Sequence, residues 1–487
     1  MLRLLLAILL ALVLGIAGIL VAGSLRYGGM EGLAFRLRTE IAERRPIDHP
    51  LTVPTPLPVA GCTLNVEGCA ATPVATKGVA GCTVNVDVCA VAPDAVPAGV
   101  ALAKATAAPT TRPTATFTPD ATPSHTPTPK TNATATATST ATTVTTAAAV
   151  VTAVPLVTAA KAVVAPAVAL TGLTHAWQTW NNCGPATLAM QLSYFGSTLT
   201  QEQVRQALRP NRDDKNVNLA ELAEFARGQG LHAAVLVNGD PDRLRLLLNN
   251  GLPVFVETWL EPKPNDGMGH YRLLTGYDQA RSEWVAYDSY IATGGSRDGP
   301  YQPLRLPYAE MAALWRVFNR AYLVLYTDAQ APVVAAVLGP NGGDAAGGEL
   351  AMWQAALAQA ETEIDQNPQD AFAWFNRGSA LVALGRYEDA PAAYDQARVI
   401  GLPWRMLWYQ FGPFQAYYEV GRYQEVVALA EATLRTTESI EELHYWRGRG
   451  LQALGQTEAA AAAYRRAIAF NPGYRPAAEA LAALTGS

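Results

Sequence analysis

From about residue 91 to residue 170 the chain narrows to alanine, threonine, proline and valine. A stretch of that composition cannot build a core of its own. Repeated Thr-Pro bars a helix and removes backbone donors, and the large side chains a core requires are missing. Between residues 101 and 170 the only charges are Lys104, Arg112, Asp120, Lys130 and Lys161. The chain must therefore be read as separate blocks on either side of a spacer. The spacer reads as an extended, polyproline-like, disordered stalk of the kind that holds a domain away from a membrane. Its threonines suit O-glycosylation, and Asn132-Ala133-Thr134 fits an N-glycosylation acceptor; an unmodified spacer is the alternative.

This segment also accounts for the composition. Charged residues are 16% of the 487, against roughly 25% in a typical soluble domain, while hydrophobic residues stand at an ordinary 50%. The net charge of −5 leaves no basic excess for nucleic-acid binding. At roughly 150 residues per domain the length amounts to about three domains.

Leu4 to Leu25 is an uncharged run of 22 residues rich in Leu, Ile, Val and Ala, bracketed by Arg3 and Arg26. At about 1.5 Å per residue it is long enough to cross a hydrocarbon core. Residues 1–25 thus read as a transmembrane signal-anchor, with a cleaved signal peptide as the alternative. Arginines cluster after the run rather than before it, which argues for a cytoplasmic C-terminal side. The cysteines argue the other way.

After a juxtamembrane segment (26–58), residues 59–90 hold a direct repeat, VAGCTLNVEGCA and VAGCTVNVDVCA. Cys62 and Cys69, then Cys82 and Cys89, are each separated by six residues, too wide for a zinc knuckle and without a nearby histidine. Two disulfides are the better reading, with three connectivities open, and they imply an oxidising compartment. The C-terminal bulk is therefore expected outside the cytoplasm, single-pass on the cell membrane.

At residue 171 aromatic and charged residues return. Asn182-Cys183-Gly184-Pro185 opens an amphipathic run ending at Gly196, so Cys183 sits at a helix N-terminus, where the dipole favours thiolate. Capping boxes at Thr200/Gln203 and Asn218/Glu221, and Asp240-Pro241, predict three further helices. Strands are predicted over 252–259, 271–276, 284–287 and 321–326. Helices followed by an antiparallel strand series make an α+β pattern.

A thiolate nucleophile needs a base, and the base an orienting group. His175 lies in an irregular lead-in, and His232 in an apolar strand, where a packed histidine is expected. His270 follows Gly267-Met268-Gly269 at the mouth of a strand, and Asp288 ends the next strand, where pairing would set it beside the ring. Asp278 is the second candidate orienter. Gln178, five residues before Cys183, could donate to an oxyanion together with the Cys183 backbone N–H.

QTWNNCGPATLAM, LNNGLPVFVE, GHYRLLTGYD and WVAYDSY together resemble the papain-like cysteine peptidases related to bacteriocin-leader-processing enzymes, over residues 171–328. The resemblance implies Cys183 as nucleophile, His270 as general base and acid, Asp288 as orienter and Gln178 as oxyanion donor, with no cofactor or metal. Transporter-linked members carry Asp where this chain has Asn182, and no transporter domain follows. The resemblance is therefore to a stand-alone branch.

Beyond a Gly/Ala-rich linker (329–349) the pattern is wholly helical. Gly385, Gly421 and Gly455 recur at spacings of 36 and 34, the tetratricopeptide period. Residues 350–487 read as three full repeats and a partial one. Such a solenoid offers a concave face to a protein partner, or packs only on its neighbour. In the middle copy Pro413 is expected to interrupt a helix. The whole reads as a membrane-anchored extracytoplasmic cysteine peptidase acting on a peptide or protein substrate. The alternative is an inactive papain-like adaptor that only binds.

Overall fold

The structure is a computed structural model that describes residues 52–57, 163–262, 264–290, 293, 300–339 and 346–486. The apolar run Leu4–Leu25, the cysteine repeat and nearly all of the Thr/Pro segment lie outside the described residues. No helix among the described residues is long and apolar enough to cross a membrane.

Helices come first. α1 (Cys183–Tyr194), α2 (Gln201–Leu208), α3 (Leu219–Gly228) and α4 (Pro241–Asn249) begin where the sequence places them. Both capping boxes form, and the Asp240 side chain accepts the Arg243 N–H at the start of α4. α5 (Tyr308–Trp315) and α6 (Ala331–Leu338) follow later in the chain. The sheet holds seven strands: β1 (Ala167–Ala169), β2 (His232–Leu236), β3 (Val254–Leu260), β4 (Met268–Asp278), β5 (Glu283–Asp288), β6 (Leu304–Pro307) and β7 (Tyr322–Tyr326). Their order is β2-β7-β3-β4-β5-β6, all antiparallel, with β1 paired to β4.

The two sheet faces are sorted by the period of two along each strand. Phe255, Tyr271, Leu273 and Leu323 pack beneath Leu188 and Leu192 of α1. Val254, Val256, Leu274 and Val324 pack against Leu244, Leu247 and Leu248 of α4 and Val333 and Val334 of α6.

Two boundaries shift from the sequence reading. β1 lies inside the segment assigned to the stalk, and it is bound tightly. A Cβ on Gly276 of β4 would stand 2.1 Å from the Val168 carbonyl oxygen, so only glycine admits the strand there. The 329–349 linker is likewise partly structured, since α6 seals the sheet's second face.

The helical region runs α7 (Ala346–Gln366), α8 (Ala371–Ala383), α9 (Ala390–Ile400), α10 (Gly412–Glu419), α11 (Tyr423–Leu434), α12 (Glu441–Ala453), α13 (Thr457–Phe470) and α14 (Arg475–Thr485). Gly385, Gly421 and Gly455 all have φ near +70°, which closes the turn inside each helix pair at no steric cost. Gly378 and Gly448 are small because Tyr394 and Tyr464 lie against them; an added Cβ would meet those rings at 2.7 and 2.5 Å. Pro413 does not interrupt a helix. It stands in the first turn of α10, where its missing N–H costs nothing.

The helical region packs directly on the sheet domain. Arg316 pairs with Asp370 and Glu363, Arg405 with Asp266, and Asn216 donates to Glu442 at 2.9 Å. Residues 52–57 also join this unit. The Val53 N–H donates to the Leu402 carbonyl at 2.8 Å. The Arg398 guanidinium donates to the carbonyls of Pro54 (2.7 Å) and Thr55 (3.0 Å), and the Leu57 N–H donates to Glu425 at 2.8 Å. The chain on both sides of residues 58–162 is therefore pinned to the same folded body.

Candidate active site

α1 starts at Cys183 after a tight lead-in. Asn181 takes a left-handed φ of 53°, which asparagine tolerates better than most residues. The Gln201 side chain from α2 then clamps the lead-in: its oxygen accepts from the Thr179 N–H (2.9 Å) and the Asn182 amide (2.7 Å), and its amide donates to the Trp177 carbonyl (2.8 Å). Cys183 is partly open to solvent.

β4 carries His270 and β5 carries Asp288. Their register pairs Asp288 with Arg272, two residues after His270 and on the same face. His270 Nε2 is 2.8 Å from Asp288 Oδ1, which leaves Nδ1 for the Cys183 thiol; the two side chains hydrogen-bond. Asp288 is fixed from every side. Oδ1 also accepts from the Tyr290 N–H (2.8 Å), and Oδ2 accepts from Arg272 Nε (2.9 Å). The Asp288 N–H donates to the Tyr301 hydroxyl at 2.9 Å. Arg272 in turn donates to Thr258 Oγ1 at 2.6 Å.

The electrostatics follow from these contacts. Burial pushes the Asp288 carboxyl up, but the His270 charge and hydrogen bond, then Arg272, outweigh it and hold the group at about 2. Burial pushes His270 down, and Asp288 more than reverses that, to about 9. Enclosure raises the Cys183 thiol. The hydrogen bond and charge of His270, the Tyr271 backbone N–H and the Arg209 charge bring it below the ordinary thiol value. All three shifts favour a thiolate–imidazolium pair, and the N-terminus of α1 adds to them.

Gln178 is also brought to this group. Its N–H donates to the Ser289 carbonyl at 2.9 Å, and its side-chain oxygen accepts from Ser289 Oγ at 2.8 Å. With the oxygen occupied, the amide nitrogen is the end left to donate. The structure thus links Cys183, His270 and Asp288 by hydrogen bonds and ties Gln178 to Ser289, the residue that follows Asp288.

Of the other candidates, Asp278 stays at the far end of β4, accepting from the Arg281 N–H. His232 is not a packed core histidine. Its ring is about half exposed, 2.6 Å from Asp328, and stacks on Tyr326, because the first residue of β2 lies at the sheet's edge strand. His175 Nε2 donates to the Asp288 carbonyl oxygen at 2.8 Å and its ring stacks on Tyr301, so it braces the acid. Sequence reasoning missed Arg272, Ser289 and Tyr301. A signal for Arg272 was present: an arginine in the apolar strand HYRLLTG must face a buried partner. Among the described residues no group of His, Cys, Asp and Glu is arranged to hold a metal ion.

The Peptidase_C39 like family model matches residues 170–322, and tetratricopeptide-repeat models match residues 350–401 and 441–474. No curated protein matches the chain. Among solved structures, the chain is similar to one described as a C39-like peptidase from Bacillus anthracis (16% identity, 33% of this chain and 98% of that one, TM-score 0.27). It is also similar to the peptidase domain of Streptococcus ComA, a bifunctional ABC transporter (16% identity, 32% and 100%, TM-score 0.25). A third similarity is to MamA from Desulfovibrio magneticus (17% identity, 28% and 75%, TM-score 0.25). Residues 170–322 thus form a peptidase C39-like domain, and the chain carries tetratricopeptide repeats behind it.

Proposed function

We propose that the chain is a cysteine peptidase that hydrolyses peptide bonds through Cys183, His270 and Asp288. The hydrogen-bonded series from Cys183 through His270 to Asp288, with Gln178 alongside, carries this reading. The Cys183 sulfur attacks the carbonyl carbon of the scissile bond. The oxyanion is met by the Gln178 amide and the Cys183 backbone N–H. His270 gives its Nδ1 proton to the leaving amine, and the C–N bond breaks. It then takes a proton from water, which attacks the thioester and returns the sulfur as thiolate. Asp288 keeps the ring oriented throughout and balances its charge.

Cys183→Ala should abolish peptide hydrolysis by the full-length protein while leaving its thermal unfolding in place. Hydrolysis that persists overturns the proposal. A Cys183 with the reactivity of an ordinary thiol, unchanged in His270→Ala, would instead assign the domain to peptide binding without turnover.

The repeats are read as the partner-binding part. Tyr418, Tyr445, Arg449, Gln452 and Glu479 line a cavity of about 350 Å³ between α10, α12 and α14. Leu4–Leu25 is read as the membrane anchor, with the folded unit outside the cytoplasm. A reporter fused after residue 170 that is active only in the cytoplasm would overturn that placement.

A further inference from the structure

β3 runs beside the strand that carries His270, and six of its seven residues are buried; the exception is Glu257. In register Glu257 faces Tyr271, so it shares the sheet face covered by α1, where the Tyr271 ring lies 3.4 Å from the Cβ position of Gly184. That contact places the pair next to Cys183. The Tyr271 hydroxyl donates to the Val217 carbonyl at 2.7 Å, and its side chain also hydrogen-bonds Glu257.

The opposite wall comes from the repeats. The Tyr409 ring lies on Gly269, 3.1 Å from where a Cβ would stand, and is held against Phe318. Arg405, four residues earlier, donates to the Asp266 and Gly267 carbonyls and fixes this wall. Cys183, Glu257 and Tyr409 each keep part of their surface open to solvent.

A carboxylate in such a place is costly without a cation. Arg405 is committed to Asp266, and among the described residues no cationic side chain forms an ion pair with Glu257. Resting on the peptidase reading above, we propose that Glu257, with Tyr271 and Tyr409 as walls, is a specificity-determining subsite that takes a cationic group of the substrate. That group is an ammonium or guanidinium, from a lysine or arginine side chain or from the substrate's amino terminus. Enclosure, then the Cys183 charge, holds the empty carboxyl at about 8, so the cation is bound with loss of that proton.

The test uses full-length protein and acetyl-tripeptide vinyl sulfones, which alkylate Cys183. Lysine replaces norleucine at each position in turn, and each compound is also made with a free amino terminus. At one position lysine should speed alkylation about tenfold. The ratio should grow from pH 6 to 9 as Glu257 ionises, and should fall to about one in Glu257→Gln. A gain confined to the free-amino series identifies the amino terminus as the occupant. No gain at any position, or a gain that survives Glu257→Gln, overturns the subsite. Iodoacetamide separates the two readings. If it alkylates Cys183 no faster than free cysteine, the peptidase reading fails. If it reacts fast without a lysine preference, only the subsite fails.

Discussion

Arg272 and Asp288 face each other across the β4–β5 register, Nε 2.9 Å from Oδ2, both buried to within 3% of full enclosure. The pair gives the acid behind His270 a second cation and leaves neither oxygen free to turn. Arg272→Met should destabilise the protein by about 3–5 kcal/mol in urea unfolding, because a buried carboxylate loses a partner. The pH dependence has a fixed sign. The folded Asp288 value of about 2 lies below the unfolded value of about 3.9. Its contribution is therefore present above about pH 3.9 and lost as pH falls through about 2.

The thiolate–imidazolium pair predicts a broad plateau of Cys183 reactivity. Iodoacetamide alkylation should persist below the ordinary thiol range, since Cys183 is lowered. Peptide hydrolysis should fall again near pH 9, where His270 loses the proton owed to the leaving amine. In His270→Ala the alkylation rate at pH 6.5 should drop about tenfold or more. An alkylation profile unchanged by that substitution would refute the pairing.

Glu442 lies at the junction between the repeats and the sheet domain. It accepts from Asn216 at 2.9 Å with one oxygen, and the other oxygen is buried without a partner. Burial, then Glu441 and Asp214, push its carboxyl well above the usual range. The sign is opposite to that of Asp288: stability is fully present below the unfolded value and is lost as pH rises through the folded one. Glu442→Gln should therefore raise stability at pH 8 by about 1–3 kcal/mol and leave it nearly unchanged at pH 4, read by thermal unfolding at the two pH values.

Residues 52–57 and the repeats make a connection that covalent continuity does not require. A protease site placed between residues 91 and 150 and cut to completion should leave the two fragments eluting together on gel filtration. Arg398→Ala removes the donor to Pro54 and Thr55 and leaves buried Glu425 without its 2.7 Å partner. It should cost about 3–5 kcal/mol and free the N-terminal fragment after the cut. Fragments that separate in the wild-type protein would show that the strap does not hold.

Much of this protein is written locally. Thr200 with Gln203 and Asn218 with Glu221 start helices because each box is satisfied within four residues. The repeat period shows because each helix pair needs the same glycine turn, and Cys183 at a helix start shows because Pro185 and the following apolar spacing are contiguous. The order Gln178, Cys183, His270, Asp288 is likewise legible: Cys183 opens α1, His270 lies near the start of β4 and Asp288 ends β5, with Gln178 in the irregular lead-in before α1.

What stayed hidden depends on distant partners. β1 reads as part of the Ala/Thr/Pro segment because only the Gly276 surface, more than a hundred residues later, makes it a strand. Arg272 reads as an odd residue in an apolar strand until β5 supplies Asp288. Glu257 and Tyr409 lie more than 150 positions apart and belong to different folded regions, so no periodicity links them. Local propensity and spacing determined the elements, the repeat and the candidate site residues. Only tertiary packing decided that residues 52–57 return to the repeats and that a repeat tyrosine and a strand glutamate border the same cysteine. Such contacts join side chains whose separation in sequence carries no energetic signature until the chain is folded.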